Sequence, residues 1–426
     1  MIGSTATARG LHVVSATVTP IAVVDPPLLN SVGVHQPYAL RAVVQVHTDA
    51  GITGLAEAYG DDPTLDRLRR VIPALIGVDV FDIHGLTRRV SGALAGVEAD
   101  TPTELIGAAS VAKAVAATVA AFEVALFDIQ GKATGLRVCD LLGGAVRPAV
   151  PFSAYLFYKW AGHPGAEPDH FGAALDPDGI VAQARRLVAT YGFGSLKLKG
   201  GVFPPDEEIA AIEALRAEFP HHPLRIDPNA NWTVPTSLAV AERLDGVLEY
   251  LEDPTDGIAG MASVAAQTSI PLATNMCVTT FADVPEAVAA DAVRIVLSDH
   301  HFWGGFRASL DLAAICETFG LGLSMHSNTH LGISLAAMTH LAAATPLLTY
   351  ACDTHSPWQV EDVIEPGSVM IRNGEVAVPE GPGLGVTLDE DALARLHEQY
   401  VRCGVRRRDD VTAMRAVVPG WTGARP

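Results

Sequence analysis

Tyr155, Lys197, Lys199, Asp227, Asn229, Glu252, Asn275, Asp299, His326 and His355 stand at or just past the ends of short apolar runs in this 426-residue chain. From Asp227 the steps to Glu252, Asn275, Asp299, His326 and His355 are 25, 23, 24, 27 and 29 residues. Removing a proton beside a carboxylate creates an enediolate, which needs a divalent cation and positioned cationic groups. Asp227, Glu252 and Asn275 are hard oxygen ligands suited to one Mg²⁺, with coordination positions left for water and substrate. No Cys or His stands among them, which disfavours zinc. Lys197 and Lys199, two apart on a strand, point the same way. Crowded together beside a metal, a lysine loses its proton more readily and can act as a base. Asp299 beside His326 would fix the tautomer of the imidazole and stabilise its cation.

Singly, each residue has an ordinary explanation. The two lysines could be a solvated strand end, Asp227 before Pro228 a loop start, Glu252-Asp253-Pro254 a helix N-terminus and Asn275 a turn. Independent loop signals have no reason to recur once per repeating unit, and that recurrence favours a shared site.

The positioning elements follow from the texture of the chain. Eight strand-like runs alternate with alanine-rich helical stretches after Pro148: 150–157, 195–199, 223–227, 248–252, 271–275, 292–299, 322–326 and 347–355. Eight parallel βα units close a barrel of roughly 200 to 250 residues, whose active site lies at the C-terminal ends of the strands. The second and seventh strands flank the metal-bearing third to fifth, so Lys199 and His326 should face opposite sides of a bound substrate. Before the barrel, the first ~60 residues alternate as strands, with a hairpin signal at Thr48-Asp49-Ala50-Gly51. Val115, Val119, Phe122, Leu126 and Ile129 then share one helix face. We expect an α+β capping domain over 10–147, a barrel over 148–370, and a C-terminal segment, 371–426, that returns to the capping domain.

Composition excludes several alternatives. A formal net charge of −19 repels polyanions, so neither nucleic acid nor an anionic membrane is an expected partner. An acidic small molecule would need a local cluster of cations. The apolar stretch from Ala108 to Phe127 is broken by Lys113 and Glu123, which argues for a buried helix over a membrane span. The N-terminus shows no secretory pattern, and five scattered cysteines without a C-x-x-C pair fit a reducing, cytoplasmic location.

Lys197-x-Lys199, Asp227-x-Asn229, Glu252-Asp253-Pro254, Asn275 in Ala-Thr-Asn-Met, and the Asp299/His326 pair resemble the enolase superfamily. More narrowly, His35-Gln36-Pro37-Tyr38, Asp299 to Trp303, His326-Ser327-Asn328-x-His330, Asp353-Thr354-His355 and Arg408-Asp409-Asp410 resemble its glucarate dehydratase family, over about residues 10 to 425. The resemblance implies an α/β fold of enolase type, a modified (β/α)7β TIM barrel under an N-terminal α+β cap, with Mg²⁺ dependence and dehydration of D-glucarate to 5-keto-4-deoxy-D-glucarate. It implies Lys199 as the base on one face, helped by Lys197, and His326, oriented by Asp299, as base and then acid on the other. D-glucarate would use the histidine for proton abstraction, and its epimer L-idarate the lysine. Asn229 and Asn328 would bond substrate or enediolate oxygens, with Ser327 beside them. His35, Tyr155, His355 and Arg408 would hold the substrate chain and its distal carboxylate. The partner is thus a small acid sugar, and a homo-oligomer is expected.

Three positions depart from the family pattern. Ala259 stands where many relatives have a metal-binding glutamate, Ala108-Ala109-Ser110 lacks a substrate-binding threonine, and His300 replaces an expected proline. Two other classes therefore stay open. The same lysine and histidine would epimerise a substrate if no hydroxyl left, and a non-catalytic relative would bind an acid sugar without exchanging its α-proton.

Overall fold

The computed structural model describes residues 11–97 and 110–422. The N-terminal part holds an antiparallel sheet of β1 (Val13–Val24), β2 (Tyr38–Thr48) and β3 (Thr53–Tyr59), in the order β1-β2-β3. The hairpin between β2 and β3 turns at Asp49 to Ile52, where Gly51 has φ 75° and Thr48 Oγ1 donates to Ile52 O. Three helices cover this sheet, α1 (Asp62–Leu75), α2 (Ile83–Ala93) and α3 (Val111–Thr134). Ser110 caps α3 by accepting from Lys113 N, and Gly135 ends it at φ 74°, a left-handed conformation that glycine adopts without strain. From Thr118 to Gly131, α3 is buried on every side, so it lies sandwiched between the sheet and the barrel.

The barrel strands are β4 (Ala149–Phe157), β5 (Leu196–Lys199), β6 (Leu224–Asp227), β7 (Tyr250–Glu252), β8 (Leu272–Thr274), β9 (Ile295–Ser298), β10 (Gly322–Met325) and β11 (Cys352–Thr354). Neighbours from β4 to β10 pair in parallel and in chain order. The ring closes where β11 pairs with β4, Asp353 opposite Ser153, and where Ser324 of β10 donates to Ala351 O at 2.9 Å. Seven connections carry helices, α4 (Pro177–Tyr191), α5 (Pro205–Glu218), α6 (Val234–Arg243), α7 (Gly257–Ala265), α8 (Val284–Ala289), α9 (Phe306–Phe319) and α10 (Gly332–Ala344). After β11 the chain leaves the ring, which makes the barrel (β/α)7β in place of eight repeated βα units. The strands end at the residue read from the sequence or one residue before it, while their starts run from one residue earlier, at Ala149, to five later, at Cys352.

Beyond the ring, Ile371–Arg372 and Glu375–Ala377 form a small hairpin that extends the sheet antiparallel to β4. α11 (Glu390–Cys403) lies along β1, with His397 Nδ1 2.7 Å from Pro20 O and Gln399 Nε2 donating to Ala22 O. A single apolar core runs through both parts and includes Val44, Phe122, Phe127, Phe306 and Leu341. Among the described residues no helix is long and apolar enough to cross a membrane, and the five cysteines are free thiols.

Polar contacts help to lock cap to barrel. Glu123 of α3 accepts from the backbone N–H of Phe306, capping α9. Gly305, at φ 100°, lies so close that a Cβ there would collide with the Glu123 carboxylate. Gly305→Ala adds left-handed strain to that collision, and we expect it to lower unfolding free energy by about 2 to 3 kcal/mol, read as a fall in the urea midpoint.

Candidate active site

The site grows from alternation on short strands. In Leu196-Lys197-Leu198-Lys199 the leucines pack outward against the helices, so both lysines enter the barrel. Lys197 Nζ lies 2.7 Å from Glu252 Oε1, 2.6 Å from Glu252 Oε2 and 2.7 Å from Asp353 Oδ2, with Asp227 Oδ2 at 3.5 Å. Lys199 Nζ donates to Asp227 Oδ2 and to Asn229 Oδ1, each at 2.7 Å. The Tyr155 hydroxyl donates to Asp227 Oδ2 at 3.0 Å, and the Tyr155 ring lies 4.6 Å from Lys197 Nζ.

Burial raises a carboxyl pKa, but Lys199 and Lys197 outweigh it at Asp227 and hold that group well below the usual carboxylate range. Glu252 goes the other way, pushed up by burial and by the neighbouring Asp227 carboxylate. Asp253 is raised to about 7 by burial, although Thr274 Oγ1 and Asn275 N donate to it. Its φ of 36° is strained for a non-glycine residue and turns the chain sharply after β7. Asn229 and Ala230, at φ 56° and 58°, do the same after β6.

Across the mouth, His326 Nδ1 lies 3.2 Å from Asp299 Oδ2. Asp299 Oδ1 accepts the His301 backbone N–H at 2.9 Å and sits 2.9 Å from His301 Nδ1. His330 Nε2 is 3.6 Å from Asp299 Oδ2. Burial opposes the charge on Asp299, yet these histidines hold its pKa well below the usual value. Burial keeps His300 neutral, and pushes His330 down to about 4. Asn275, Asn328 and His326 line one cleft together with Lys113 and Phe302. Ser327 is fully buried and does not line that cleft.

His35, Tyr155 and His355 gather on another side of the mouth around Phe157, with ring centroids 6.1 Å, 4.5 Å and 5.4 Å from it. His35 Nδ1 is 3.0 Å from Asp25 Oδ2. Burial lowers the His355 pKa well below its ordinary value, and the neighbouring His35 adds to that. Arg408 donates through Nε and NH2 to Asp410, which also accepts from Asn30 at 2.8 Å.

Residues 179–392 match the family described as Enolase C-terminal domain-like, and residues 14–143 match the Mandelate racemase / muconate lactonizing enzyme, N-terminal domain. The chain belongs to the enolase superfamily. It is 53% identical over 427 residues to a probable glucarate dehydratase of Streptomyces coelicolor, covering 97% of this chain and 98% of that one. Two crystal structures superpose closely. An enolase from Thermobispora bispora, complexed with magnesium and formate, is 59% identical with a TM-score of 0.95, covering 97% of this chain and 99% of its own. An enolase from Mycobacterium smegmatis complexed with tartrate is 62% identical with a TM-score of 0.95, covering 99% and 100%. This enolase-superfamily chain is an enzyme, a carbon–oxygen hydro-lyase similar to glucarate dehydratase.

The donor set at the mouth suits a hard divalent cation, since Asp227, Glu252 and the Asn275 amide offer oxygen ligands, and burial together with the Asp227 carboxylate pushes Glu252 up. Ala259, which adds no carboxylate, is exposed on the first turn of α7. A second cluster, Asp299, His301 and His330, brings three ligand atoms within 4.8 Å of one another. There the Arg41 guanidinium, 3.4 Å from His301 Nε2, already supplies the cation.

Lys113 and His301 did not emerge from the sequence as site residues. Lys113 breaks the apolar run of α3; it is buried, with Nζ 4.7 Å from the Phe302 ring centroid, and burial pushes its ammonium down to about 8. A lysine among the alanines and valines that open α3 is the signal that could have found it. Ala108 and Ala109 lie outside the described residues, and His300 packs on His301 with ring centroids 4.0 Å apart.

Asp227→Asn and Glu252→Gln each remove a charged ligand from this set. Either is expected to weaken Mn²⁺ binding about tenfold or more, measured by titration calorimetry on protein without substrate.

Proposed function

We propose that this hydro-lyase is an acid-sugar dehydratase that converts D-glucarate, and its epimer L-idarate, to 5-keto-4-deoxy-D-glucarate. The observation that carries the reading is a pair of bases on separate strands, Lys199 on β5 and His326 after β10, which in ring order flank β6, β7 and β8, the strands at whose ends Asp227, Glu252 and Asn275 stand. Similarity to a probable glucarate dehydratase along nearly the full chain supports the same substrate class.

A magnesium ion held by Asp227, Glu252 and Asn275 would supply Lewis-acid stabilisation to the two enediolate oxygens. Lys197, fixed by Glu252 and Asp353, keeps its charge: burial lowers its pKa, but Asp353 and Glu252 outweigh that and raise it well above the ordinary value. It therefore serves as a permanent cation beside the developing charge, not as a base. His326, with Nδ1 toward Asp299, presents Nε2 to the substrate. In D-glucarate His326 Nε2 takes the C5 proton, and the resulting imidazolium returns a proton to the C4 hydroxyl as it leaves as water. The enol that remains tautomerises to the 5-keto product. In L-idarate the C5 proton faces Lys199 instead, and His326 acts only as the acid. Asn229, bonded to Lys199, and Asn328, lining the cleft, are the hydrogen-bonding groups for the substrate hydroxyls. His35, His355, Tyr155 and Arg408 form the wall for the distal carboxylate, and together with Lys113 they provide local cations and donors that the net charge of −19 lacks.

Incubation with D-glucarate and Mg²⁺ should give a product lighter by one water in mass spectrometry. His326→Gln should lower kcat for D-glucarate by about 10²-fold or more, the usual scale for a lost acid–base group, while α-proton exchange of L-idarate in D₂O persists. Epimerisation without water loss would make the enzyme an isomerase. Undiminished dehydration by His326→Gln would remove the histidine from the mechanism.

A further inference from the structure

The Asp299 carboxylate is itself held by a chain of buried groups that begins in the cap. Arg41 of β2 is 1% exposed, and its Nε donates to Glu57 of β3 at 2.6 Å. Glu57 in turn accepts the backbone N–H groups of Leu331 and Ser334, each at 3.0 Å, where α10 begins. This pair thus reaches from the cap into the barrel loop that follows His326. The free edge of the guanidinium points at the site, with NH2 3.4 Å from His301 Nε2 and 3.4 Å from Ser334 Oγ. Ser334 Oγ lies 3.0 Å from His301 Nε2.

An arginine in a protein has donors and no acceptor. Arg41 NH2 and the Ser334 hydroxyl can both donate to His301 Nε2, whereas the Asp299 carboxylate beside Nδ1 can only accept, so a neutral ring carries its lone pair on Nε2 and its proton on Nδ1. Nδ1 sits 2.9 Å from Asp299 Oδ1, so in this tautomer it donates to the carboxylate. With Oδ1 engaged by two His301 donors, Oδ2 remains to accept from His326 Nδ1 at 3.2 Å. That bond leaves the His326 lone pair on Nε2, the atom that faces substrate. A flipped His301 would set a lone pair against the Asp299 carboxylate, and a doubly protonated one would set a second cation against Arg41.

We infer that Arg41 is a positioning residue for the histidine face of the reaction, acting through the His301 tautomer and Asp299 to keep the His326 Nε2 lone pair toward the substrate. The inference rests on the roles given above to His326 and Lys199. It joins the cap to the acid–base apparatus on the histidine face; among the described residues, Lys199 on the other face is held by Asp227 and Asn229.

The test compares the two faces in the full-length Mg²⁺ enzyme. Dehydration of D-glucarate reports on His326, and α-proton exchange of L-idarate in D₂O reports on Lys199. Arg41→Met is expected to lower kcat for D-glucarate about tenfold or more, with KM and the L-idarate exchange rate each within about threefold of wild type. Arg41→Lys should recover part of the loss. In a His301→Phe background, which leaves the Arg41–Glu57 pair in place, Arg41→Met should change kcat by less than about threefold, since the relay is already cut. His301→Phe alone should show the same one-sided loss, which carries the test if Arg41→Met does not fold. Equal losses on both faces, unchanged kcat in Arg41→Met or His301→Phe, or multiplying losses in the double variant would overturn the inference. These outcomes differ from failure of the underlying reading, in which wild type does not dehydrate the hexarate or His326→Gln remains active, and the inference falls with it.

Discussion

Charge balance at the mouth of the barrel constrains everything else in this molecule. Asp227, Glu252, Asp253 and Asp353 are all buried within the span of a few side chains, against Lys197 and Lys199. Carboxylates so placed cannot all ionise in a low-dielectric interior unless cations sit among them. Lys197 is shared by Glu252 and Asp353, Lys199 pairs with Asp227, and Thr274 and the Asn275 backbone donate to Asp253, while burial and the Asp227 carboxylate still raise the Glu252 pKa. A divalent cation held here would offset that crowding of carboxylates and join metal and strand ends in one electrostatic unit. The strained φ values at Asn229, Ala230 and Asp253 are what hold the polar ends of β6 and β7 together there.

The cap enters the same balance. Its long helix α3 supplies Lys113 to the cleft and Glu123 to the N-terminus of α9, and its sheet supplies Arg41 and Glu57. All four charged side chains are buried. Buried charges are retained only where they are paired or accept several donors, and here each meets a partner that belongs to the barrel or its loops. The cap is therefore joined to the barrel through charges as well as through the continuous apolar core, and it roofs the site on the histidine side.

The departures from the family pattern bear on this arrangement unequally. Ala259 sits exposed on α7 and leaves Glu252 as the carboxylate that β7 offers to the site. His300 is held neutral by burial and packs on His301, so it adds bulk behind the Asp299 cluster without adding charge.

The fold and the central constellation were legible in the sequence because barrel units repeat. A polar residue at the end of each strand recurs at near-constant spacing, and closure of the ring brings Lys199 to Asp227, and Asn275, Asp299 and His326 to one cleft. Short range was enough to read the hairpin after Thr48, whereas the single apolar face read for Val115 to Ile129 gives way to burial on every side of α3, because the helix lies between sheet and barrel. Tertiary structure alone decided which groups the cap contributes. Arg41, Glu57 and Lys113 lie at no periodic distance from the strand ends, and a charge in an apolar strand or helix does not reveal what it faces. Lys113 and Glu123 could be read as arguments against a membrane span, but not as a cleft residue and a helix cap. Likewise His301 follows Asp299 by two residues, and its role depends on which of its nitrogens meets a guanidinium 260 positions away in the chain. Such choices of tautomer and partner are set by contacts across domains, which have no signature in local sequence.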